Sequence, residues 1–136
     1  MALTLSRAVP QDIPGIVDVW FDAFYRTDIG LFPDTPAVRA WMSDAFARSM
    51  SEEKQHTTFM VMTEEQPDEK RKIASWSKWV VEEEGGPSDW RSRWGNEMAE
   101  GMIEEKVDAF FKAMEQQHCA TMGDWKHFCK DLLACP

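Results

Sequence analysis

The sequence lacks several features that would place the protein in a specialised class. Its three cysteines, Cys119, Cys129 and Cys135, are an odd number near the end of the chain, which favours reduced thiols over a disulfide framework. No apolar run approaches the ~18 residues that a membrane span requires. The opening MALTLSRAVPQD becomes polar too early for a secretory signal. We therefore expect a cytoplasmic protein with no membrane partner.

Positive charge is also scarce. Fifteen Lys and Arg stand against twenty-four Asp and Glu, which gives a net charge of -9. Such a chain repels phosphate backbones and anionic lipids. Its acidic residues are spread out apart from Glu82, Glu83 and Glu84, so neither an acidic tail nor a polyanion mimic is indicated. Nucleic acid is not expected as a partner.

Aromatic residues, by contrast, are abundant. The 136 residues include seven Trp and eight Phe, and 43% of the chain is hydrophobic, which is the composition of a globular protein with a packed core. The chain shows no internal repeat, low-complexity tract or linker. We expect one domain over residues 1–136.

The first third of the chain predicts a strand followed by two helices. LTLSRA, Leu3 to Ala8, alternates apolar and polar residues as a strand does. Asp12 can cap a first helix with an apolar face of Ile13, Ile16, Val17, Trp20 and Phe24. After a loop from Thr27 to Pro36, Thr35 caps a second helix, whose inner face is Val38, Trp41, Met42, Ala45 and Phe46.

A hairpin follows. TTFMVMTE, Thr57 to Glu64, and KIASWSKWVVE, Lys72 to Glu82, are rich in β-branched and apolar residues and are separated by a charged turn. Alternation along the second strand predicts one face with Trp76, Lys78 and Val80 and an opposite face with Ile73, Ser75, Ser77 and Trp79.

The last third predicts a long helix and a final strand. EEGGPSDW breaks the chain, and Asn96 can cap a helix to about Gln117. The apolar positions of that helix are expected in the core: Met98, Met102, Ile103, Val107, Phe110, Phe111 and Met114. HFCKDLLACP begins a last strand. The predicted fold is α/β (α+β), an antiparallel sheet of about four strands with three main helices.

These segments resemble a known family. LTLSRAVPQDIPGIVDVWFDAF is similar to the opening of the GNAT superfamily of acetyl-coenzyme A dependent N-acyltransferases, in which an Arg ends the first strand and an Asp five residues later caps the first helix; here these are Arg7 and Asp12. GLFPDTPAVRAW, KIASWSKWVV and GDWKHFCKDLLACP resemble fungal small-molecule members in particular. The resemblance implies a truncated GNAT-like fold.

The coenzyme site of those relatives has no counterpart in this sequence. The relatives bind pyrophosphate on a Q/R-x-x-G-x-G/A loop at a helix N-terminus, where glycines let backbone N–H groups approach. None of the seven glycines here forms G-x-G before a helix start. We therefore expect no cofactor. Three interpretations remain open: a small-molecule enzyme that has lost acetyl transfer, a noncatalytic binding or assembly module, and a piece of an ordinary acetyltransferase that is inert alone.

The resemblance also implies a site for the small molecule. In GNAT-like proteins the acceptor side is built from the first two helices, their loop and the central strands. Glu82 and its acidic neighbours, at the mouth of the hairpin, could attract a cationic amine, whereas the alternative is a solvated charged loop. An aromatic-rich pocket suits a flat or hydrophobic ligand, whereas the alternative is that the rings simply fill the core. Besides Glu82, the candidates are Trp20, Phe24, Tyr25, Asp28, Phe32, Trp76 and Trp79.

Candidate catalytic groups lie on the last strand. His127, Cys129 and Asp131 alternate, which predicts a base, a thiol and a carboxylate on one face; the alternative is an end strand of mixed exposure. Tyr25, the only tyrosine, is a fourth candidate because its hydroxyl could reach a ligand. Cys119, His127, Cys129 and Cys135 match no paired zinc pattern, so no metal is expected.

The unpaired edge of the last strand predicts a homodimer, because pairing that edge between two chains satisfies it. The function that these patterns favour is modification of a small molecule by acid and base groups beside an aromatic pocket, without acetyl-CoA. Acetyl transfer, with acetyl-CoA bound across a dimer, is the enzymatic alternative.

Overall fold

A computed structural model describes residues 2–24, 30–51, 57–65, 71–82, 89–95, 97–123 and 127–134. At position 82 and at positions 127–133 the description covers the backbone alone. Of the predicted site residues, Tyr25 and Asp28 lie outside the described residues, as do the side chains of Glu82, His127, Cys129 and Asp131.

A four-stranded antiparallel sheet forms the centre of the fold. Its strands lie in sequence order, and each pairs with the next one along the chain. The strands are β1 (Leu3–Arg7), β2 (Thr57–Glu65), β3 (Arg71–Glu82) and β4 (His127–Ala134). The predicted mixed α/β fold with an antiparallel sheet of about four strands is therefore confirmed, with β1 and β4 at its two edges.

The helices come before and after the β2–β3 hairpin. A 3₁₀ turn over Pro10–Asp12 leads into the first of them. They are α1 (Ile13–Phe24), α2 (Pro36–Ser51), the short α3 (Trp90–Trp94) and α4 (Glu104–Met122). The predicted order of strand, helix, helix, strand, strand, helix and strand is confirmed, with α3 as an addition.

Local chemistry starts the first two helices. The Asp12 carboxylate accepts a hydrogen bond from the Val9 N–H at 2.9 Å, which closes the 3₁₀ turn ahead of α1. The Thr35 hydroxyl accepts the Val38 N–H at 3.3 Å, and Pro36 is the first residue of α2. A proline is tolerated there because its missing N–H has no partner within the helix. The cap predicted at Thr35 is confirmed.

One face of the sheet is buried beneath α1 and α2. Helix α1 packs on β3, and α2 packs on β2. Alternate residues of the two central strands, which include Phe59, Val61, Trp76 and Val80, point into this core. On the edge strand β1, Leu3 and Leu5 are instead exposed, because they share the other face of the sheet with Met62 and Glu64.

A bulge overturns the predicted position of Ile73. The pairing of β2 with β3 shifts between Met62 and Thr63, so that Ser75 and Ile73 face these two residues and Ala74 faces neither. Such an extra residue rotates one end of a strand relative to the other. Ile73 is consequently buried with Trp76 in the core, and its predicted place beside Trp79 is wrong.

The predicted start of the long helix is also wrong. Helix α4 begins at Glu104. Gly101, three residues earlier, has a φ of 92° in the left-handed region, which a right-handed helix cannot contain. The helix continues to Met122, beyond the predicted end.

The apolar stripe predicted for this helix is only partly in the core. Val107 and Phe111 are buried, whereas Ile103, Phe110 and Met114 are exposed. Met98 and Met102 do pack on the core, but from the segment that precedes the helix.

The sequence prediction missed helix α3. The stretch EEGGPSDW was expected only to break the chain, but its last residue starts a five-residue helix. Trp90 and Trp94, four residues apart, share one face of α3, and both are buried. That spacing of two large rings was the available signal.

Candidate aromatic binding site

Three of the predicted ligand-binding rings meet where α1 faces the segment that leads into α2. The Trp20 ring centroid lies 5.0 Å from that of Phe24 and 5.3 Å from that of Phe32, which it meets edge to face. Edge-to-face contact suits aromatic rings, whose edges are positive and whose faces are negative. The sequence assigned these residues to one site, and the fold brings them together.

Further rings connect this group to the sheet. The Trp41 ring lies 6.2 Å from Phe32 and 5.4 Å from Trp94, both in a stacked arrangement. Phe46 then lies 5.7 Å from Trp94 and 5.3 Å from Trp76 on β3. We call the continuous set of Trp20, Phe32, Trp41, Trp94, Phe46 and Trp76 the aromatic cluster.

Trp79 lies apart from the aromatic cluster. It is 40% exposed, whereas Trp76 is 1% exposed, so the two rings lie on opposite faces of β3 as alternation predicted. The Trp79 indole Nε1 donates to the Ser77 hydroxyl at 2.9 Å. Trp79 is therefore a fully partnered ring at the outer face of the sheet.

Two indole N–H groups within the aromatic cluster have no hydrogen-bond partner in the part of the chain that the structure describes. They are Nε1 of Trp20, a residue 9% exposed, and Nε1 of Trp76. Other indoles are satisfied: Nε1 of Trp41 donates to the Glu97 carbonyl at 2.8 Å, and Nε1 of Trp90 to the Asp108 carboxylate at 3.2 Å. An unpaired buried donor costs about 1–3 kcal/mol.

A buried lysine lies beside one of these indoles. Lys78 is 2% exposed, and it is on the same face of β3 as Trp76. Its Nζ is 5.9 Å from the ring centroid of Phe59, a distance typical of a cation–π contact. Alternation placed Lys78 on the Trp76 face, but we assigned it no role from the sequence. The available signal for a role was that a charged residue occupies an inward position of a central strand.

An ion-pair cluster holds the segment that carries Phe32. Nη1 of Arg39 lies 2.6 Å from Oδ1 of Asp18 on α1, and its Nη2 donates to Oδ2 of Asp34 at 3.1 Å. The guanidinium also lies over the Phe21 ring at 4.6 Å. The hydrogen bond from Arg39 holds the pKa of Asp34 below its ordinary value, and both carboxylates raise the pKa of Arg39. Arg39 on α2 thus binds α1 through Asp18, and it binds the segment that follows Phe32 through Asp34.

The predicted catalytic strand is described through its backbone. His127 pairs with Glu82 and Cys129 with Val80, but the register then shifts between Trp79 and Lys78. Lys130 faces Trp79 and Leu132 faces Lys78, so Asp131 falls at the irregularity. The alternation that groups His127, Cys129 and Asp131 assumes a regular strand, and their shared role stays a prediction.

Within the described ranges, no three His, Cys, Asp or Glu side chains are grouped so that they could hold a metal ion. The same ranges contain no helix with the length and apolar character needed to cross a membrane.

Comparison with known proteins gives little sequence similarity. The sequence matches no family model and no curated protein. Among solved structures, the fold is similar to a crystal structure described as histone acetyltransferase HPA2 and related acetyltransferase, from Corynebacterium glutamicum. The identity is 17% and the TM-score 0.46, and the similarity covers 99% of this chain and 61% of that one. The chain thus spans about three fifths of the length of that protein, and the similarity does not assign it to a family.

Proposed function

We propose that this chain is a small-molecule-modifying enzyme related to the GNAT superfamily, which binds a flat or apolar molecule at the aromatic cluster and modifies it without acetyl-CoA. The observation that carries the proposal is the pair of unpartnered indole donors, on Trp20 and Trp76. Ligand sites combine a mostly apolar lining with a few polar groups that fix orientation. Two buried donors amid aromatic rings are such a combination.

The relation to GNAT acyltransferases is supported by the motifs around Arg7 and Asp12 and by the order of strands and helices. A fungal source and a role in natural-product metabolism belong to the proposal because the sequence resembles fungal small-molecule members of that superfamily. A cytosolic location belongs to it because the chain shows no secretory signal and its cysteines favour reduced thiols. The exposed thiol of Cys119 fits a reducing compartment.

For the chemistry, we propose that His127 and Asp131 act as acid and base, with Cys129 and Tyr25 as further candidates. Imidazole titrates near neutral pH, and a carboxylate beside it can orient it or stabilise its charge. The β4 strand that carries three of these residues is an edge of the sheet. Pairing of β4 between two chains would satisfy that edge, so we propose a homodimer.

The test is an unbiased activity assay. The purified chain is incubated with a library of aromatic amines, phenols and carbonyl compounds, with and without acetyl-CoA, and products are followed by mass spectrometry. We expect a mass change in at least one compound that needs the protein and not the coenzyme. His127→Ala and Asp131→Ala should abolish it, while Trp79→Phe, on the outer face, should not.

Other outcomes would replace the proposal. A gain of one acetyl group that requires acetyl-CoA, together with saturable thermal stabilisation by the coenzyme, would establish acetyl transfer instead. Saturable binding of library compounds without any product would establish a noncatalytic binding module.

A further inference from the structure

The hydrogen-bonding character of the aromatic cluster indicates what its ligand carries. An indole N–H is a donor with no acceptor capacity. The two unpartnered groups, on Trp20 and Trp76, therefore require acceptor atoms.

Among the described residues, the rings that contact these two indoles are only weak acceptors. Trp20 meets Phe21 and Phe32 edge to face, at ring distances of 5.1 and 5.3 Å. Trp76 meets Phe46 in the same manner at 5.3 Å. An N–H directed at a ring face is a second-order interaction, much weaker than one directed at a carbonyl oxygen. A carbonyl or a ring nitrogen on a ligand would therefore improve on either contact.

We infer that the ligand is a planar, largely apolar molecule that presents hydrogen-bond acceptors, such as a lactone, amide or ketone carbonyl, to the indole N–H groups of Trp20 and Trp76. This deepens the proposed function, because it names the ligand class of the same site. It also differs from the sequence-based expectation that Glu82 attracts a cationic amine, since an ammonium group would face these donors with further donors.

The first part of the test compares three bicyclic probes of similar size. Coumarin carries a lactone acceptor, 1,2-dihydronaphthalene carries none, and tetrahydroisoquinoline carries an ammonium group. Binding is measured by titration with the protein labelled with ¹⁵N at the tryptophan indoles. We expect coumarin to bind at least about tenfold more tightly than either other probe, because a site built to bond a polar group rejects the analogue that lacks it. Coumarin should also shift the Nε1–H resonances of Trp20 and Trp76 downfield.

The second part uses matched substitutions. Trp20→Phe and Trp76→Phe each remove one N–H while keeping an aromatic ring, and each should remove most of the preference for coumarin. Trp79→Phe is the control, because that indole already bonds Ser77 on the outer face. The wild-type resonances keep the inference testable should Trp76→Phe fail to fold.

The inference is overturned if coumarin and dihydronaphthalene bind equally, if the ammonium probe binds more tightly, or if no probe binds. It is also overturned if both indole resonances stay in place at saturation, which would indicate an internal water or a ring as their partner. The probe preference is independent of turnover. A chain that prefers coumarin but modifies nothing would uphold the inference and contradict the proposed enzyme.

Discussion

Gly15 lets helix α1 lie close to strand β3, and the contribution of this close packing to the free energy of unfolding can be measured. A Cβ atom added at Gly15 would lie 3.0 Å from Cδ1 and 3.4 Å from Cγ1 of Ile73. Overpacking of this kind typically costs about 1–3 kcal/mol. Alanine in a helix gains about 1 kcal/mol over glycine. We therefore expect Gly15→Ala to lower the free energy of unfolding by about 1 kcal/mol.

A double-mutant cycle separates the contact from helix propensity. Ile73→Val removes Cδ1, the atom nearest the added methyl group, and by itself should cost about 1 kcal/mol. In that background Gly15→Ala should regain about 1 kcal/mol from propensity. The double variant should thus be about as stable as the wild type, with a coupling free energy of about 2 kcal/mol.

Urea denaturation followed by tryptophan fluorescence gives the free energy of unfolding of the wild type, the two single variants and the double variant. Gly30→Ala is the control, because its added Cβ meets no atom of the described residues within 4 Å and its cost arises from φ 75°; Ile73→Val should not rescue it. If the effects of Gly15→Ala and Ile73→Val add to within about 0.5 kcal/mol, the two residues are not in contact, and the argument for close packing of α1 on β3 fails.

Three further predictions concern other parts of the molecule. Gly95→Ala should lower the free energy of unfolding by about 2 kcal/mol, because Gly95 has φ 107° and an added Cβ would lie 2.8 Å from Nη2 of Arg48; Arg48→Met should rescue only part of the loss in urea denaturation. The lowered pKa of Asp34, caused by Arg39, stabilises the fold above about pH 4 and is lost as the pH falls through the lowered value. Asp34→Asn should therefore be less stable than the wild type at pH 7, and the difference should vanish once the pH has fallen below the lowered pKa of Asp34; a difference that persists in strong acid would contradict this assignment. Sedimentation equilibrium should give twice the mass of one chain if the proposed β4 dimer forms, and a monomer at high micromolar concentration would refute it.

The sequence predicts most elements of this fold because local signals and burial agree over long stretches. Thr35 and Pro36 start α2 where cap chemistry requires. Alternation in β3 correctly separates Trp76 from Trp79, since side chains of a regular strand point alternately to its two faces. Both signals depend on near neighbours in the chain, so a single sequence contains them.

The failures occur where a distant contact or a single backbone angle decides. The register shift opposite Met62 turns Ile73 into the core, and only the pairing of β2 with β3 produces it. Gly101 delays the start of α4, although the apolar spacing ahead of it looks helical. The exposed Phe110 shows that a periodic apolar stripe indicates a helix without specifying which of its residues are covered.

The sequence predicts which aromatic residues of the candidate site come together. It does not predict which of their indole N–H groups find an acceptor. The resemblance to GNAT-like proteins grouped Trp20, Phe24 and Phe32, and these rings do meet, because a helix face and the loop after it are near in the chain. Which indoles find an acceptor depends on groups far away, as with the Glu97 carbonyl that Trp41 bonds. No pattern of residue types reveals that the Trp76 indole finds no acceptor among the described residues.

This difference between tryptophans is the reason to propose a ligand site at the aromatic cluster. Elsewhere in the described chain, polar groups near the core have partners: Arg48 donates to the Trp94 carbonyl at 2.8 Å, and Trp41 to that of Glu97. At Trp20 and Trp76 the same fold leaves donors unpaired. Buried polar groups without a hydrogen-bond partner are expected chiefly at functional sites, where a ligand supplies the missing acceptor or donor. A tightly bound acceptor should therefore stabilise this protein through the two indoles that have no partner among the described residues.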